Sequence, residues 1–340
     1  MNNISGVGIN LVEGFRINGI EADFYSAEKT MHPYDYTDNV NPRKCLRSTN
    51  RLLNKFLLIF FIIKLIIRYK YFIFLQAGWT LMKDQKDISI LKFFGKKTMV
   101  IFAGCDARLP ENVVPYTWNP CKGCLDEYRQ LLNCTPVRKK ALIHLLERKF
   151  DLIGSPVECA GLIQGAYLKI YFPRRIDHFV PVYFKNESSQ KIKILHAPTH
   201  TLKKGTKYIR ETLEKLSLNY NNFEYIERQG LQINELYKEI ASCDLVIDQL
   251  IGGYYGLLSV ESMALGKPVV VYIRPDIWER EKAYLPVFNA NPDSLFDILE
   301  KILKDPDQLE QRGRDSRAYV EKFHDAKIVA KGIYLMMSGQ

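Results

Sequence analysis

The chain of 340 residues is 47% apolar and 25% charged, which suits two globular domains of about 150 residues each. Its 20 glycines and 15 prolines exclude a collagen-like or a disordered chain. A net charge of +10 with a pI near 9.1 indicates an anionic partner: nucleic acid, a membrane or a phosphorylated substrate. The excess lies in residues 41–100, which carry 13 basic and 2 acidic side chains, whereas residues 185–340 carry 22 of each sign.

The seven cysteines are an odd number in a large chain, and the residues after Met1 are too polar and too few for a secretory leader. Both observations predict a reducing, cytoplasmic setting.

The first half predicts alternating helices and strands, interrupted by one strongly apolar and basic stretch. That stretch, residues 56–75, contains Lys64, Arg68 and Lys70, and its longest uncharged run is far too short to span a bilayer. It predicts a cationic surface helix followed by a strand, and either membrane-surface contact or an ordinary core helix fits. The expected elements are helices at 8–18, 49–68 and 137–150, and strands at 21–25, 71–75, 98–102 and 152–154.

In the second half, predicted strands and helices alternate more regularly, which predicts doubly wound parallel sheets. We expect domains at 1–185 and 186–325, with a closing helix at 326–340 that packs back on the first domain. The helical tail is expected to break at Pro306 and Gly313. The expected elements are strands at 193–196, 222–226, 245–248 and 268–272, and helices at 204–216, 233–241 and 257–264.

A glycine-rich turn after the strand at 245–248 is the most informative feature of the sequence. Gly252, Gly253 and Gly256 precede a helix that begins near Leu257, and Glu261 follows one turn later. Glycines allow close backbone approach, and a helix start offers free N–H groups to an anion. The pattern indicates phosphate binding, or a plain strand–helix–strand unit with a surface glutamate.

Lys204 stands at the start of the helix after the strand at 193–196, where its charge could reach a diphosphate held at the glycine turn. The alternative is a solvated lysine at a helix start. His196 and His200 have no carboxylate at ligand spacing, so we interpret them as polar loop residues and not as metal ligands.

Residues 190–330 resemble the donor-binding domain of GT-B glycosyltransferases of the family 4 type. The matching segments are Lys204-Gly205, the run Tyr-Tyr-Gly-Leu-Leu-Ser-Val-Glu-Ser-Met-Ala, and Gly-Lys-Pro-Val-Val. The resemblance implies an α/β fold of two Rossmann-like, doubly wound domains that face each other across a cleft. It also implies a nucleotide-sugar donor.

The same resemblance implies roles for individual residues. Glu261 matches the ribose-binding glutamate, Lys204 the diphosphate-binding lysine and Gly256 the phosphate turn. The further donor contacts that it implies are Gly6, Thr199, Asp248, Gly253, Tyr255 and Leu257.

Three positions depart from the family pattern: Ala103 stands for a histidine, Thr199 for an arginine and Gly253 for a glutamate. Asp106 is then the remaining acid–base candidate, and its alternative is a loop aspartate that binds backbone amides.

The expected mechanism is retaining and metal-independent, with Asp106, Lys204 and Glu261 as the catalytic set. Lys204 and the helix start near Gly256 would stabilise the departing diphosphate. No cofactor is expected. A structural zinc at Cys105, Cys121, Cys124 and Cys134 is the weaker alternative to free thiols.

We therefore expect a hexosyltransferase that acts on a lipid-linked or polysaccharide acceptor, in the synthesis of cell-surface polysaccharide or glycolipid. It would sit peripherally on the cytoplasmic face of an anionic membrane. A sugar-nucleotide epimerase, or a weakened sugar-nucleotide binder, is the alternative. Nucleic acid is not expected, because the aromatic residues of 41–100 fall within apolar runs.

Overall fold

The structure, a computed structural model, divides the chain into two compact units. It describes residues 6–25, 51–75, 82, 85–106, 108–113, 115–121, 124, 134–159, 167–186 and 190–340. Unit 1 comprises Met1–Leu109, Cys134–Pro173 and Ala326–Gln340, and unit 2 comprises Pro110–Asn133 and Arg174–Asp325.

Helices and strands alternate along most of the described chain. In order they are α1 (Val7–Ile17), α2 (Arg51–Arg68), β1 (Tyr71–Leu75), α3 (Lys86–Phe93), β2 (Lys97–Ile101), α4 (Pro110–Val113), α5 (Pro136–Lys149), β3 (Leu152–Ser155), β4 (Leu168–Lys169), β5 (Ile192–His196), α6 (Thr201–Lys204), α7 (Thr206–Ser217), β6 (Phe223–Glu227), α8 (Ile233–Ser242), β7 (Leu245–Ile247), α9 (Leu257–Ala264), β8 (Val269–Val271), α10 (Pro275–Glu281), β9 (Phe288–Asn289), α11 (Leu295–Lys304), α12 (Gln308–Phe323) and α13 (Ala326–Ser338).

Unit 1 is built on a parallel sheet of four strands in the order β1-β2-β3-β4. Its strands are short apolar runs, and the buried side of α2 contributes Ile62 and Ile66 to a core shared with Val100 and Leu146. Parallel strands are joined by crossover helices that cover the sheet. Because the covered strands are buried, their sequences are continuous apolar runs.

The segment at 21–25, predicted as a strand, is irregular apart from a single bridge residue, Tyr25, so that prediction is wrong. Its acidic side chains bind cations of neighbouring helices instead of alternating across a sheet. Glu21 accepts from Arg68 at 2.5 Å, and Asp23 accepts from Arg16 at 3.1 Å. Helix α2 matches its prediction, although the predicted start at residue 49 lies outside the described residues.

A cavity of about 330 Å³ lies inside unit 1. Its walls come from α1, α2, β1 and α13, and they are largely apolar. Side chains from those four elements include Leu11, Phe15, Ile62, Leu65, Phe74, Tyr334 and Met337. None of the helices in the described part of the chain is long and apolar enough to cross a membrane.

Unit 2 is built on a parallel sheet of five strands in the order β6-β5-β7-β8-β9. Strands β7 and β8 are fully buried, as expected for a parallel sheet covered on both faces. Helices α7 and α11 pack on one core through side chains such as Ile209, Leu213 and Leu299.

The chain passes from unit 1 to unit 2 at Pro173–Arg174, earlier than the expected boundary at 185/186. The reason is local pairing, since the amide of Val182 donates to the carbonyl of Leu265 at 2.9 Å within unit 2. Residues 110–133 also belong to unit 2, although a segment of unit 1 separates them in sequence from the rest of that unit.

The tail breaks near Pro306, as predicted, but Gly313 lies inside α12, so the second predicted break is wrong. Gly313 serves close packing, because a Cβ there would stand 2.3 Å from the carbonyl oxygen of Gly266. Helix α13 belongs to unit 1 and packs on α1, where the Asn18 amide donates to the carbonyl of Lys327 at 2.8 Å.

Candidate anion-binding site at the switch point of unit 2

The strand order of unit 2 reverses between β5 and β7. From β5 the chain crosses to β6 on one side and then returns past β5 to β7 on the other. In open parallel sheets, ligands bind outside the carboxyl ends of the strands at such a point. The loop that follows β5 leads to Lys204, and the loop that follows β7 contains Asp248 and Gly256, so the switch point collects the predicted residues.

Lys204, Asp248, Ser259 and Gly256 form one connected cluster. The Lys204 Nζ lies 2.6 Å from Asp248 Oδ1. The other carboxylate oxygen accepts from the Ser259 hydroxyl at 2.6 Å and from the Gly256 amide at 3.1 Å. Gly256 is the N-cap residue of α9, so the start of that helix lies beside the lysine.

Asp248 is completely buried, whereas the Lys204 side chain retains 15% exposure. Burial alone opposes ionisation of Asp248, but the Lys204 ammonium and the bonds from Ser259 and Gly256 outweigh it and lower the pKa of the carboxyl. Asp248 is therefore an anion that holds the lysine in place, and the lysine is the member of the pair that a ligand can reach.

The turn between β7 and α9 depends on glycine at two positions. Gly253 has φ 82°, a conformation that a glutamate, the residue of the family pattern, would adopt only with strain. At Gly256 a Cβ would lie 3.4 Å from Lys204 Nζ and 3.2 Å from Asp248 Oδ2. Because Gly256 has no side chain, its backbone lies next to the Lys204 ammonium.

Buried aromatic residues pack against one another at this turn. Tyr255 is 6% exposed, and its hydroxyl lies 2.9 Å from that of Tyr319 and 2.8 Å from His324 Nε2. Tyr254 stacks on Tyr255 with ring centroids 4.2 Å apart and donates to Glu281 at 2.8 Å. The structure therefore places Tyr255 under the turn, held by buried partners.

Glu261 lies in the middle of α9 and is 2% exposed. Its Oε1 accepts from Arg174 Nε at 3.1 Å and from the Tyr237 hydroxyl at 3.2 Å. The Arg174 side chain is 3% exposed, so this is a buried ion pair. No local motif marks Arg174, which lies 87 residues from its partner in the sequence.

His196 is buried at the end of β5. Its Nδ1 lies 2.8 Å from the carbonyl of Ile247, and its Nε2 lies 2.8 Å from the Thr206 hydroxyl. Burial lowers the pKa of the imidazole, which keeps the ring neutral. The histidine thus ties the ends of two neighbouring strands to the start of α7 and holds the two loops of the cluster at a fixed spacing.

The remaining predicted donor contacts lie around this cluster or in unit 1. Thr199 is exposed in the loop after β5, and Leu257 is the half-buried first residue of α9. Gly6 caps the start of α1 in unit 1 with φ 78°.

Asp106 follows β2 in unit 1 and accepts a hydrogen bond from the Ala103 amide at 2.9 Å. Nearby, the Arg108 guanidinium lies 3.0 Å from Glu158 Oε1. Asp106 thus closes its own loop by binding a backbone amide, which was one of its two predicted roles.

The described cysteines Cys105, Cys121, Cys124 and Cys134 are free thiols. Cys105 and Cys134 belong to unit 1, and Cys121 and Cys124 belong to unit 2. Within the described ranges, no group of three or more His, Cys, Asp or Glu side chains is placed to hold a metal ion.

No protein-family model matches the sequence, and no curated protein matches it significantly. Solved structures do match. HepE of Anabaena, solved with UDP-glucose, has 14% identity and a TM-score of 0.51 over 87% of this chain and 85% of that chain. Sucrose-phosphate synthase of Thermosynechococcus elongatus has 14% identity and a TM-score of 0.53 over 97% of this chain and 91% of its own.

An α-glucosyltransferase solved with UDP and a DNA 13-mer has 10% identity and a TM-score of 0.59 over 99% of this chain and 96% of its own. Similarity at this level of identity concerns the fold. Together with the two parallel-sheet units, it confirms the predicted α/β architecture with two Rossmann-like domains, the GT-B fold.

Proposed function

We propose that the protein is a glycosyltransferase that moves a sugar from a nucleotide-sugar donor to an acceptor hydroxyl. The observation that carries the proposal is the convergence of Lys204 Nζ and the start of α9, which Asp248 joins at the switch point of unit 2. A cation and a helix start side by side suit a diphosphate. The shared fold with HepE, which was solved with UDP-glucose, supports the same ligand class.

In the proposed reaction, the carbon–oxygen bond to the nucleoside diphosphate breaks and negative charge develops on the departing phosphate. The Lys204 ammonium and the amides at the start of α9 stabilise that charge. Asp248 acts through Lys204, because a fully buried carboxylate fixes the ammonium without contacting the donor. Positive charge from the protein serves the leaving group, so we propose a reaction without a metal ion.

We propose that Thr199, Gly253 and Leu257 border the donor, since they flank Lys204 and the start of α9. Tyr255 and Glu261 are buried, and we assign them to the floor of the site. Contact between Glu261 and a ribose requires that its carboxylate be uncovered from Arg174.

We further propose retention, by departure of the diphosphate and attack of the acceptor hydroxyl on the same face of the sugar. Asp106 is proposed to receive the acceptor proton, as the acidic residue that follows β2 in unit 1. The site then works mainly by positioning and charge stabilisation.

For the acceptor, we propose a lipid-linked or polysaccharide substrate of cell-surface glycan or glycolipid synthesis, used at the inner face of the cell membrane. Two features of unit 1 support a lipid. One is the apolar cavity of about 330 Å³, a volume typical of small-molecule sites. The other is the basic segment at 41–100.

The first experiment measures binding of UDP and other nucleoside diphosphates by calorimetry. Lys204→Ala is expected to weaken binding about 10- to 100-fold, the loss of one charge-assisted contact. Lys207→Ala, which removes a nearby lysine that is 76% exposed, is the matched control and should bind as the wild type does. Equal affinity of Lys204→Ala and wild type would remove Lys204 from the site.

The second experiment incubates the protein with radiolabelled nucleotide sugars and membrane extract. Label that appears in lipid or polymer, and is absent with Lys204→Ala, is the expected result. An isomerised sugar nucleotide without transfer would instead identify an epimerase, the alternative that the sequence left open.

A further inference from the structure

Helix α2 carries a stripe of large apolar side chains on its outer face. Their exposed fractions run from 46% at Ile63 to 80% at Ile67. The spacing of the main row is three and four residues, so it follows one side of the helix. The members of the α2 stripe are Leu53, Phe56, Ile59, Phe60, Ile63 and Ile67.

The α2 stripe is additional to the face with which α2 enters its own core. Ile62, Leu65 and Ile66 point the other way and are at most 8% exposed. In the described part of unit 1, α2 thus has one apolar face that is buried and a second that is exposed. A contiguous exposed apolar surface of this kind marks an interaction site.

The charges around the stripe have one predominant sign. The sequence of α2 contains two lysines and two arginines and no acidic residue. Lys64 and Lys70 are exposed, while Arg68 is partly neutralised by Glu21 and Asp23 at 2.5 and 3.2 Å. A partner that covers the stripe therefore meets a cationic border.

A second apolar and basic group lies near the end of α2. Phe93 and Phe94, which close α3, are 84% and 54% exposed, and Lys92, Lys96 and Lys97 surround them in sequence. The amide of Lys97 donates to the carbonyl of Lys70 at 3.1 Å, and β1 and β2 begin there side by side. The C-terminal end of α2 and the Phe93–Phe94 group therefore both lie close to the amino edge of the sheet of unit 1.

We infer that the α2 stripe, with Phe93 and Phe94, docks on the surface of an anionic lipid bilayer. The apolar side chains enter the boundary between headgroups and acyl chains, and the lysines contact anionic headgroups. The inference rests on the proposed function for its setting and names the partner surface. A second copy of the chain fits less well, since it would bring two cationic helices together, and nucleic acid offers no apolar counterpart to the stripe.

The test is flotation of the purified protein with phosphatidylcholine vesicles, with and without phosphatidylglycerol. We expect binding to the anionic vesicles, little binding to the neutral ones, and weaker binding at high salt. The variant Phe56→Ser/Phe60→Ser/Ile67→Ser should partition about tenfold or more weakly. Val137→Ser/Leu218→Ser, which removes equally exposed apolar side chains elsewhere, should bind as the wild type does.

Failure of the wild type to bind anionic vesicles, or equal binding by the triple variant, would overturn the inference. So would a dimer that the triple variant converts to monomer, because a second copy would then cover the stripe. If the triple variant does not fold, Lys64→Glu/Lys70→Glu decides: reduced vesicle binding supports the inference and unchanged binding refutes it. UDP binding, measured on the same samples, is independent, so failure of the proposed function leaves the vesicle result standing.

Discussion

Unit 1 and unit 2 share a sheet architecture but dispose their charged and apolar side chains in opposite ways. Unit 2 turns charges inward and pairs them, as in Lys204–Asp248 and Arg174–Glu261. Unit 1 turns apolar side chains outward on α2 and surrounds them with exposed lysines. Paired buried charges hold a few atoms at fixed positions, which suits one small anionic ligand. An apolar stripe with a cationic border suits an extended surface.

The largest expected effect concerns the buried pair of unit 2. Glu261→Ala leaves Arg174 as an uncompensated buried cation, so the free energy of unfolding should fall by about 3–5 kcal/mol. Urea denaturation monitored by circular dichroism measures the change, and thermal unfolding in a calorimeter measures it independently. Glu224→Ala, at an exposed glutamate of β6, is the matched control and should alter stability by less than about 0.5 kcal/mol.

The double variant Arg174→Met/Glu261→Leu sharpens the result. If the cost of Glu261→Ala comes from the unpaired charge, this apolar pair should recover most of the lost stability. A single variant as stable as the wild type would show that the pair is not buried, and the contrast between the units would lose one of its two examples.

An effect of intermediate size is expected from glycine substitutions at a close helix contact in each unit. Gly14→Ala would bring a Cβ to 2.1 Å from the carbonyl oxygen of Ala326 in unit 1. Gly313→Ala would bring a Cβ to 2.3 Å from the carbonyl oxygen of Gly266 in unit 2. Each substitution should cost about 1–3 kcal/mol and loosen its own unit. Hydrogen exchange read peptide by peptide locates the loss.

The control for this pair is Gly332→Ala in α13, where a Cβ meets nothing within 4 Å. It should be neutral or stabilise by about 0.5–1 kcal/mol, the difference in helix propensity. Exchange that rises equally in both units after Gly14→Ala would contradict this expectation and show that the two units unfold as one cooperative unit.

The smallest effect is chemical and leaves the fold intact. Burial raises the pKa of the Cys243 thiol in unit 2 to about 12, so almost no thiolate exists near neutral pH. Cys105 in unit 1 is exposed. Brief treatment with iodoacetamide followed by mass spectrometry should label Cys105 and spare Cys243 until denaturant is added. Early labelling of Cys243 would contradict its burial.

Unit 2 could be predicted closely from the sequence because its signals are local. Helix α9 was predicted at its observed bounds, since glycines precede it and a Gly-Lys-Pro turn follows. Strands β5 to β8 are short apolar runs between polar loops, and their predicted bounds differ from the observed ones by a residue or so. The proximity of Lys204 to the glycine turn was predicted from its place after the strand at 193–196 and from the family resemblance.

What escaped prediction depends on contacts between distant residues. Arg174 and Tyr237, which bind Glu261, lie in separate elements with no motif of their own. Residues 21–25 alternate as a strand would, yet their carboxylates are held by Arg16 and Arg68. Gly313 does not break α12, and its close approach to the backbone of Gly266 is visible only in three dimensions.

The return of α13 to unit 1 has a consequence for biosynthesis. Helix α1 is translated before unit 2, but its packing partner α13 emerges only after unit 2 has been translated. At about 5–20 residues per second, unit 2 has time to complete its sheet on the ribosome while α1 waits with an uncovered face. The contact between α1 and α13 is thus completed after unit 2, and until then chaperones that recognise nascent apolar segments can reach the uncovered face of α1.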